Sequence, residues 1–322
     1  MRRIVVFAIT ALAVSGCSTS TAPGTGGVAL WVANYGGTIL GYAPTQLTSS
    51  TSAAPAVVLT RSDTNPGITF DARGNLWVSE PVNNAVVEYT ADQITVSGRQ
   101  TPNVTLTANA AGSLNGPIGL AFDAGGNLWI ANVAGTVVEF TASQIASSGR
   151  PAPVVTLTGD FQSIQRPEHL TFDQGGNLWV AGIFSSALIE FTATQLGSSG
   201  SSEPSVTLSD TSAGNLLGIV TMAFDGAGDM WVANPNANQV VEFARGQIGI
   251  SGSPAPAVRL TSTIYPQILA FDGHGNLWAS GSVAGTVVEF AASQLITSGT
   301  PTPRVTISGA SITGPVALAF TR

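Results

Sequence analysis

The feature that most constrains this chain is the placement of its six tryptophans. Trp31, Trp77, Trp129, Trp179, Trp231 and Trp278 follow one another at intervals of 46, 52, 50, 52 and 47 residues. Each sits in a copy of one motif. Around Trp129 the unit reads GPIGLAFDAGGNLWIANVAGTVVEFTASQIASSGRPAPVVTLT, and around Trp278 it reads YPQILAFDGHGNLWASGSVAGTVVEFAASQLITSGTPTPRVTI. Self-similarity at a fixed period near 50 residues marks a repeat architecture in which each unit buries its face against the next.

Each unit holds four short runs of strand-forming residues. In the third unit the first ends in Ala121-Phe122-Asp123, and Gly126-Asn127 then supply a turn. Leu128-Trp129-Ile130-Ala131, Thr136-Val137-Val138-Glu139-Phe140 and Val154-Val155-Thr156-Leu157 are the other three. Between the last two, Thr141 and Gln144 form a capping-box pattern and Gly149 reads as a helix stop, which predicts a helix of one to two turns. Four-stranded units of this length predict an all-β, six-bladed β-propeller over residues 28–322. The first unit begins at its second run, Gly27-Val28-Ala29-Leu30-Trp31-Val32, whereas Gly314-Pro315-Val316-Ala317-Leu318-Ala319-Phe320 is a first run with nothing after it. The C-terminal strand is therefore predicted to complete the N-terminal blade and close the ring, leaving no orphan edge.

Repeats of the form Pro-x-x-Leu-Ala-Phe-Asp-x-x-Gly-Asn-Leu-Trp-Val-Ala-Asn resemble NHL repeats and those of streptogramin lyase-type propellers. The resemblance covers residues 28–322. It implies architecture strongly and activity weakly, because such propellers include enzymes, receptors and scaffolds.

The first 27 residues read as an address. Arg2 and Arg3 precede an apolar run from Ile4 to Val14 that is too short to span a bilayer, the layout of a secretory signal. It ends in Val14-Ser15-Gly16-Cys17, which resembles the bacterial lipobox. That resemblance implies cleavage after residue 16, lipidation of Cys17 and a bacterial cell-envelope location, facing the periplasm or the cell exterior; the other reading is an ordinary signal with a chance Cys. A lipid anchor then holds the domain at the membrane without a transmembrane helix. Ser18 leans towards the outer membrane by resemblance to sorted lipoproteins. Residues 18–27 are small and polar and read as a tether.

Composition excludes several functions. Charged residues make up 9% of the chain, all 11 basic residues are Arg, and the net charge is −7. Without Lys there is no Schiff base and no phosphate-loop lysine. The negative balance argues against a nucleic-acid surface, and one Cys excludes a disulfide framework. A hydrophobic share of 44% at modest net charge argues against disorder.

Ten of the 18 acids are repeat positions: Asp71, Asp123, Asp173, Asp225 and Asp272 after the first-strand Phe, and Glu88, Glu139, Glu190, Glu242 and Glu289 before the third-strand aromatic. They read as structural. The Asp is expected to hold the turn, and the Glu to accept from a neighbouring strand or a Trp N–H. In a propeller the connections from strand four to the next strand one, and from strand two to strand three, open on one face. Arg61, Asp63, Asp160, Arg166, Glu168, His169, Asp210 and Tyr265 fall on the first set, and Asn34, Glu80, Asn132 and Asn234 on the second. Asn34, Glu80, Asn132, Arg166, Asn234 and Tyr265 are the candidate ligand-binding residues.

One blade alone carries an ionisable pair at the channel mouth, Glu168-His169, where others have Ile118-Gly119, Val220-Thr221, Gln267-Ile268 and Val316-Ala317. This pair is the catalytic candidate, with His169 as base or metal ligand, although strand neighbours point to opposite sides. It also reads as a polar pair at a strand entrance, held by Arg166. Resemblance to streptogramin lyases implies a His and Glu set with a divalent metal. Resemblance to gluconolactonase-type propellers implies an oxygen cage from Asn132, Asn234, Glu80 and Asp210 for one Ca or Mg ion. Phe161, Phe184 and Tyr265 are placed where they could stack on sugars or peptides. His274 reads as an exposed turn residue on the opposite face. The sequence thus favours a monomeric, non-catalytic propeller without cofactor that binds a protein, peptide or glycan on its channel face. The alternatives are a metal-assisted lyase or lactone hydrolase, or a purely structural surface protein.

Overall fold

A computed structural model describes residues 28–321 apart from 62, 159–160, 165, 183–184, 211–215, 217 and 282–284. Cys17, the signal and tether, Asp160 and Phe184 lie outside the described residues. Six four-stranded antiparallel sheets form the ring. Blade three has its strands at Pro117–Phe122, Leu128–Asn132, Thr136–Phe140 and Val155–Leu157, innermost to outermost. Blade four has Pro167–Phe172, Leu178–Gly182, Ala187–Phe191 and Val206–Ser209. Blade one takes its inner strand from Pro315–Phe320, paired antiparallel with Leu30–Asn34. The predicted closure is thus the observed one.

The repeated Asp residues fix the turn between strands one and two. Asp272 Oδ1 accepts from the amides of His274 and Asn276 at 2.9 Å, and Oδ2 accepts from Asn276 Nδ2 at 2.9 Å and Trp278 Nε1 at 3.1 Å. Burial pushes this carboxyl up, but the four bonds outweigh it and hold it below its ordinary value. Of the two partners expected for the repeated Glu, the Trp N–H goes to the Asp. The Glu instead reaches the start of the fourth strand: Glu88 accepts from Asn103 Nδ2 at 2.7 Å, and Glu289 from Arg304.

Each indole, anchored by its own Asp in blades two to six, packs against the inner-strand Phe of the following blade, edge-on at five junctions and tilted for Trp31 on Phe70. Trp129 meets Phe172 and Trp278 meets Phe320, with ring centroids 6.1 and 5.8 Å apart. All six junctions repeat this pair. Edge-to-face pairs contribute about 0.5–1.5 kcal/mol each beyond area burial.

The segment predicted as a helix of one to two turns is a single 3₁₀ turn, Gln144–Ala146. The capping box is present: Gln144 Oε1 accepts from the Thr141 amide at 2.9 Å, and the Gln144 amide reaches Thr141 Oγ1 at 3.3 Å. Gln144 Nε2 also donates to the Ala152 carbonyl at 2.7 Å, pulling the chain into the next strand after one turn. The Ser-Gly that follows is no helix stop. Ser148 Oγ accepts from the Thr105 amide, and the Gly149 amide donates to the Thr105 carbonyl, both at 3.0 Å, on the outer strand of the preceding blade. All six blades are latched this way, with Ser50-Thr51 serving the last junction.

Candidate functional site

The ends of the second strands and the connections into the first strands meet on one face, as expected. The structure spends most polar candidates there on internal bonds. Asn34, Asn132 and Asn234 are fully buried. Asn34 Nδ2 donates to the Ser311 carbonyl at 2.8 Å and Thr38 Oγ1 at 2.9 Å, and its Oδ1 accepts from the Thr313 amide at 3.1 Å. Asn132 makes the same set with Ser113, Thr136 and the Asn115 amide, while Asn234 Oδ1 accepts from the Ala237 amide. These amides tie loops down.

Glu80 pairs with Arg61, whose guanidinium also bonds Tyr89 Oη and lies 5.2 Å from the Tyr89 ring centroid. Asp63 is buried and accepts from the amides of Thr64, Val82 and Asn83. Asp210 accepts from the Leu216 amide at 3.3 Å. Phe161 stacks in the core against Phe191, centroids 6.0 Å apart, and so faces no ligand. It comes inward because the second strand of blade four ends in Gly182, not Asn. A Cβ there would lie 1.7 Å from the Ile164 carbonyl, so only glycine lets the Phe161–Ile164 turn settle. Tyr265 stays exposed at 45%, with its amide held by Asn238 Oδ1.

Along the ring axis lies a cavity of about 190 Å³. Its walls come from the inner strands of the blades and the residues just ahead of them, largely apolar at Ile68, Ile118, Val220, Ile268 and Val316, with the carboxamides of Asn65 and Gln267 among them. Glu168 and His169 both line it. Strict alternation of neighbours is interrupted here by a β-bulge between Pro167 and His169, where the inner strand gains a residue on its partner. The same irregularity recurs in blades one, three and six. The strand alternation read from sequence contains no signal for it beyond the recurrent proline.

His169 Nε2 lies 3.2 Å from the Met222 carbonyl oxygen of blade five. A carbonyl only accepts, so Nε2 carries the proton and Nδ1 the lone pair. Burial holds the ring pKa down to about 4. Burial raises Glu168, and Arg166, 3.5 Å away, opposes the rise. Arg166 is itself half exposed at the rim.

The donor set does not fit a divalent cation. His169 uses one nitrogen on a carbonyl, the Asn amides are engaged in their own loops, and Glu168 is left as one carboxylate. No group of three or more His, Cys, Asp or Glu side chains suited to a metal occurs among the described residues. A larger cavity, about 840 Å³, lies between blades six and one on the opposite face, lined by His274, Trp278, Leu47 and the paired Glu289 and Arg304.

No protein-family model matches the sequence, and no curated protein does. Solved structures do. A nidogen/laminin complex contains a chain with TM-score 0.64 and 12% identity, covering 92% of this chain and 99% of that one. A protein of unknown function from Bacteroides caccae gives 0.60 and 13% over the same shares. Virginiamycin B lyase from Staphylococcus aureus gives 0.52 and 11%, covering 84% and 83%. At these identities the likeness is one of fold: the chain is a six-bladed β-propeller.

Proposed function

We infer that this propeller is a non-catalytic binding module, anchored in the bacterial envelope through lipidated Cys17, that holds a protein or peptide partner on its channel face. One observation carries the reading. Most polar candidates of that face are consumed in fastening loops, which leaves a largely apolar channel of about 190 Å³ lined by Glu168, with Arg166 paired to it and Tyr265 exposed on a connection of the same face. That volume admits one projecting side chain and not a large substrate, while an exposed tyrosine and arginine at the rim are residue types enriched at protein interfaces. The nidogen/laminin neighbour, a propeller found in a protein complex, is consistent with this use.

The test is a screen of displayed peptides against immobilised protein, with a glycan array in parallel. The reading expects a saturable peptide whose affinity drops at least tenfold in Tyr265→Ala and is unchanged in His274→Ala on the other face. Ligands found only on the glycan array, no saturable ligand at all, or equal loss in both variants would overturn it. The anchor is tested by labelling cells with a fatty-acid probe: Cys17→Ala should lose the label and leave the membrane fraction.

A further inference from the structure

The channel has a definite chemical polarity. Its walls are largely apolar, with the carboxamides of Asn65 and Gln267 set among them, and its side-chain functional groups from blade four are both acceptors. Glu168 offers a carboxylate with 13% of its side chain exposed, so it is reachable from the cavity. His169 has committed its Nε2 proton to the Met222 carbonyl, and no donor among the described residues occupies Nδ1. Gly119 brings the backbone of blade three close beside this pair: a Cβ at 119 would lie 2.4 Å from the Glu168 carbonyl oxygen. The cation paired with the carboxylate is Arg166, whose guanidinium stays at the rim, 3.5 Å away and half in solvent. A largely apolar tube with two acceptors at one side selects a slender apolar stem with a charged donor at its tip.

We propose that the axial channel binds a primary alkylammonium group, its stem against Ile118, Ile268 and Val316 and its N–H donors on Glu168 and His169 Nδ1. The group can be a lysine side chain of a partner or a free alkylamine. This rests on the reading of the channel face as the binding face, and narrows it to the group that enters.

The chain's two histidines allow a direct assay. With ¹³C-labelled histidine, n-butylammonium should shift the His169 ring signal saturably and leave that of His274, on the opposite face, in place. Its Kd should be at least tenfold below that of 1-butanol, and n-butyltrimethylammonium, which has the charge without donors, should not compete. Glu168→Gln should weaken binding at least tenfold. Arg166→Gln should tighten it about threefold or more, because the competing cation is gone. Binding equal to that of 1-butanol, or tightened by Glu168→Gln, overturns the proposal. A second arm uses a capped Ala-Lys-Ala peptide against its Nε-acetyl form. Butylammonium binding without lysine-peptide binding upholds the channel chemistry and rejects the peptide-binding reading. A saturable peptide ligand indifferent to lysine acetylation, with no butylammonium shift, does the reverse.

Discussion

The proton on His169 is placed by its surroundings. Its ring sits in the axial channel with Nε2 on the Met222 carbonyl, and burial lowers its pKa from 6.5 to about 4. In the unfolded chain the ring takes its proton near pH 6.5; in the folded chain it resists until about 4. Between these values the unfolded state binds more protons, so the contribution to stability is whole above pH 6.5 and is lost as pH falls towards 4. Its size is on the order of 3 kcal/mol. Glu168, Glu139, Glu190 and Glu242 are all raised by burial and pull the other way, favouring the folded state at low pH. The histidine is isolated by subtraction. Urea unfolding of wild type and His169→Asn across pH 4–7 should give a stability difference that shrinks on acidification, and the labelled ring should titrate below pH 5. A ring titrating near 6.5 would refute the assignment. At Asp272, Ala should cost about 2–4 kcal/mol in urea unfolding, since it strips a shared acceptor and leaves the buried Trp278 Nε1 unpaired. That the repeated Asp serves the turn was legible in the sequence, because Asp-x-x-Gly-Asn is local. That it also takes the indole proton was not, since it depends on how the hairpin folds back.

At the scale of the element, the outer strand of each blade would be an exposed edge with free amides and carbonyls. The Ser-Gly of the following blade occupies it. At the first junction the Gly98 amide donates to the Val58 carbonyl at 2.8 Å, and the Thr60 amide donates back to Gly98 at 3.1 Å. Gly98 holds φ at +117°, which other residues avoid. Gly98→Pro removes the donor and cannot adopt this angle. It should cost about 3 kcal/mol or more, and should speed amide exchange at Val58 and Thr60 while Val78, in the next sheet, stays protected. Uniform acceleration across both blades would instead mean global unfolding, and unchanged exchange would mean the latch contributes nothing. The latch was invisible to sequence reasoning because its partners are 39 to 44 residues apart at five junctions and 256 at the closing one, and Gly after a short helical pattern reads locally as a stop. The strand periodicity, by contrast, was legible throughout, since alternation is imposed by the pleat itself. The bulge between Pro167 and His169 breaks that alternation beside the Glu168-His169 pair, and the periodicity of the strand carries no signal for it.

At the scale of the whole molecule, six equivalent junctions must close on each other, and one is made by a strand from the far end of the chain. Pro315–Phe320 pairs with Leu30–Asn34, Phe320 receives the Trp278 ring, and Leu318 packs in the cluster of Leu30, Val32 and Trp278. The Thr321 amide donates to the Ala29 carbonyl at 3.0 Å, which brings both ends of the described chain together. This closure was legible because the first unit lacks the run that the last residues supply. Truncation after Gly314 removes a whole inner strand, exposing the Trp278 face and the edge of Leu30–Asn34. Burying each of Leu318 and Phe320 is worth about 1.5–3 kcal/mol, and the ladder bonds add to that, against a total stability of about 5–15 kcal/mol for a domain. The truncated chain should lose its cooperative urea transition and its near-ultraviolet circular dichroism. Phe320→Ala should only weaken the ring, by about 3–5 kcal/mol. A rescue separates loss of closure from loss of residues: placing 315–320 ahead of Leu30, joined by the Asp-Ala-Gly-Gly-Asn turn of blade three, supplies the same strand from the other end. If the ring is held by that strand, the rescued chain regains the transition; a truncated chain as stable as the full one would show that five blades and three strands suffice.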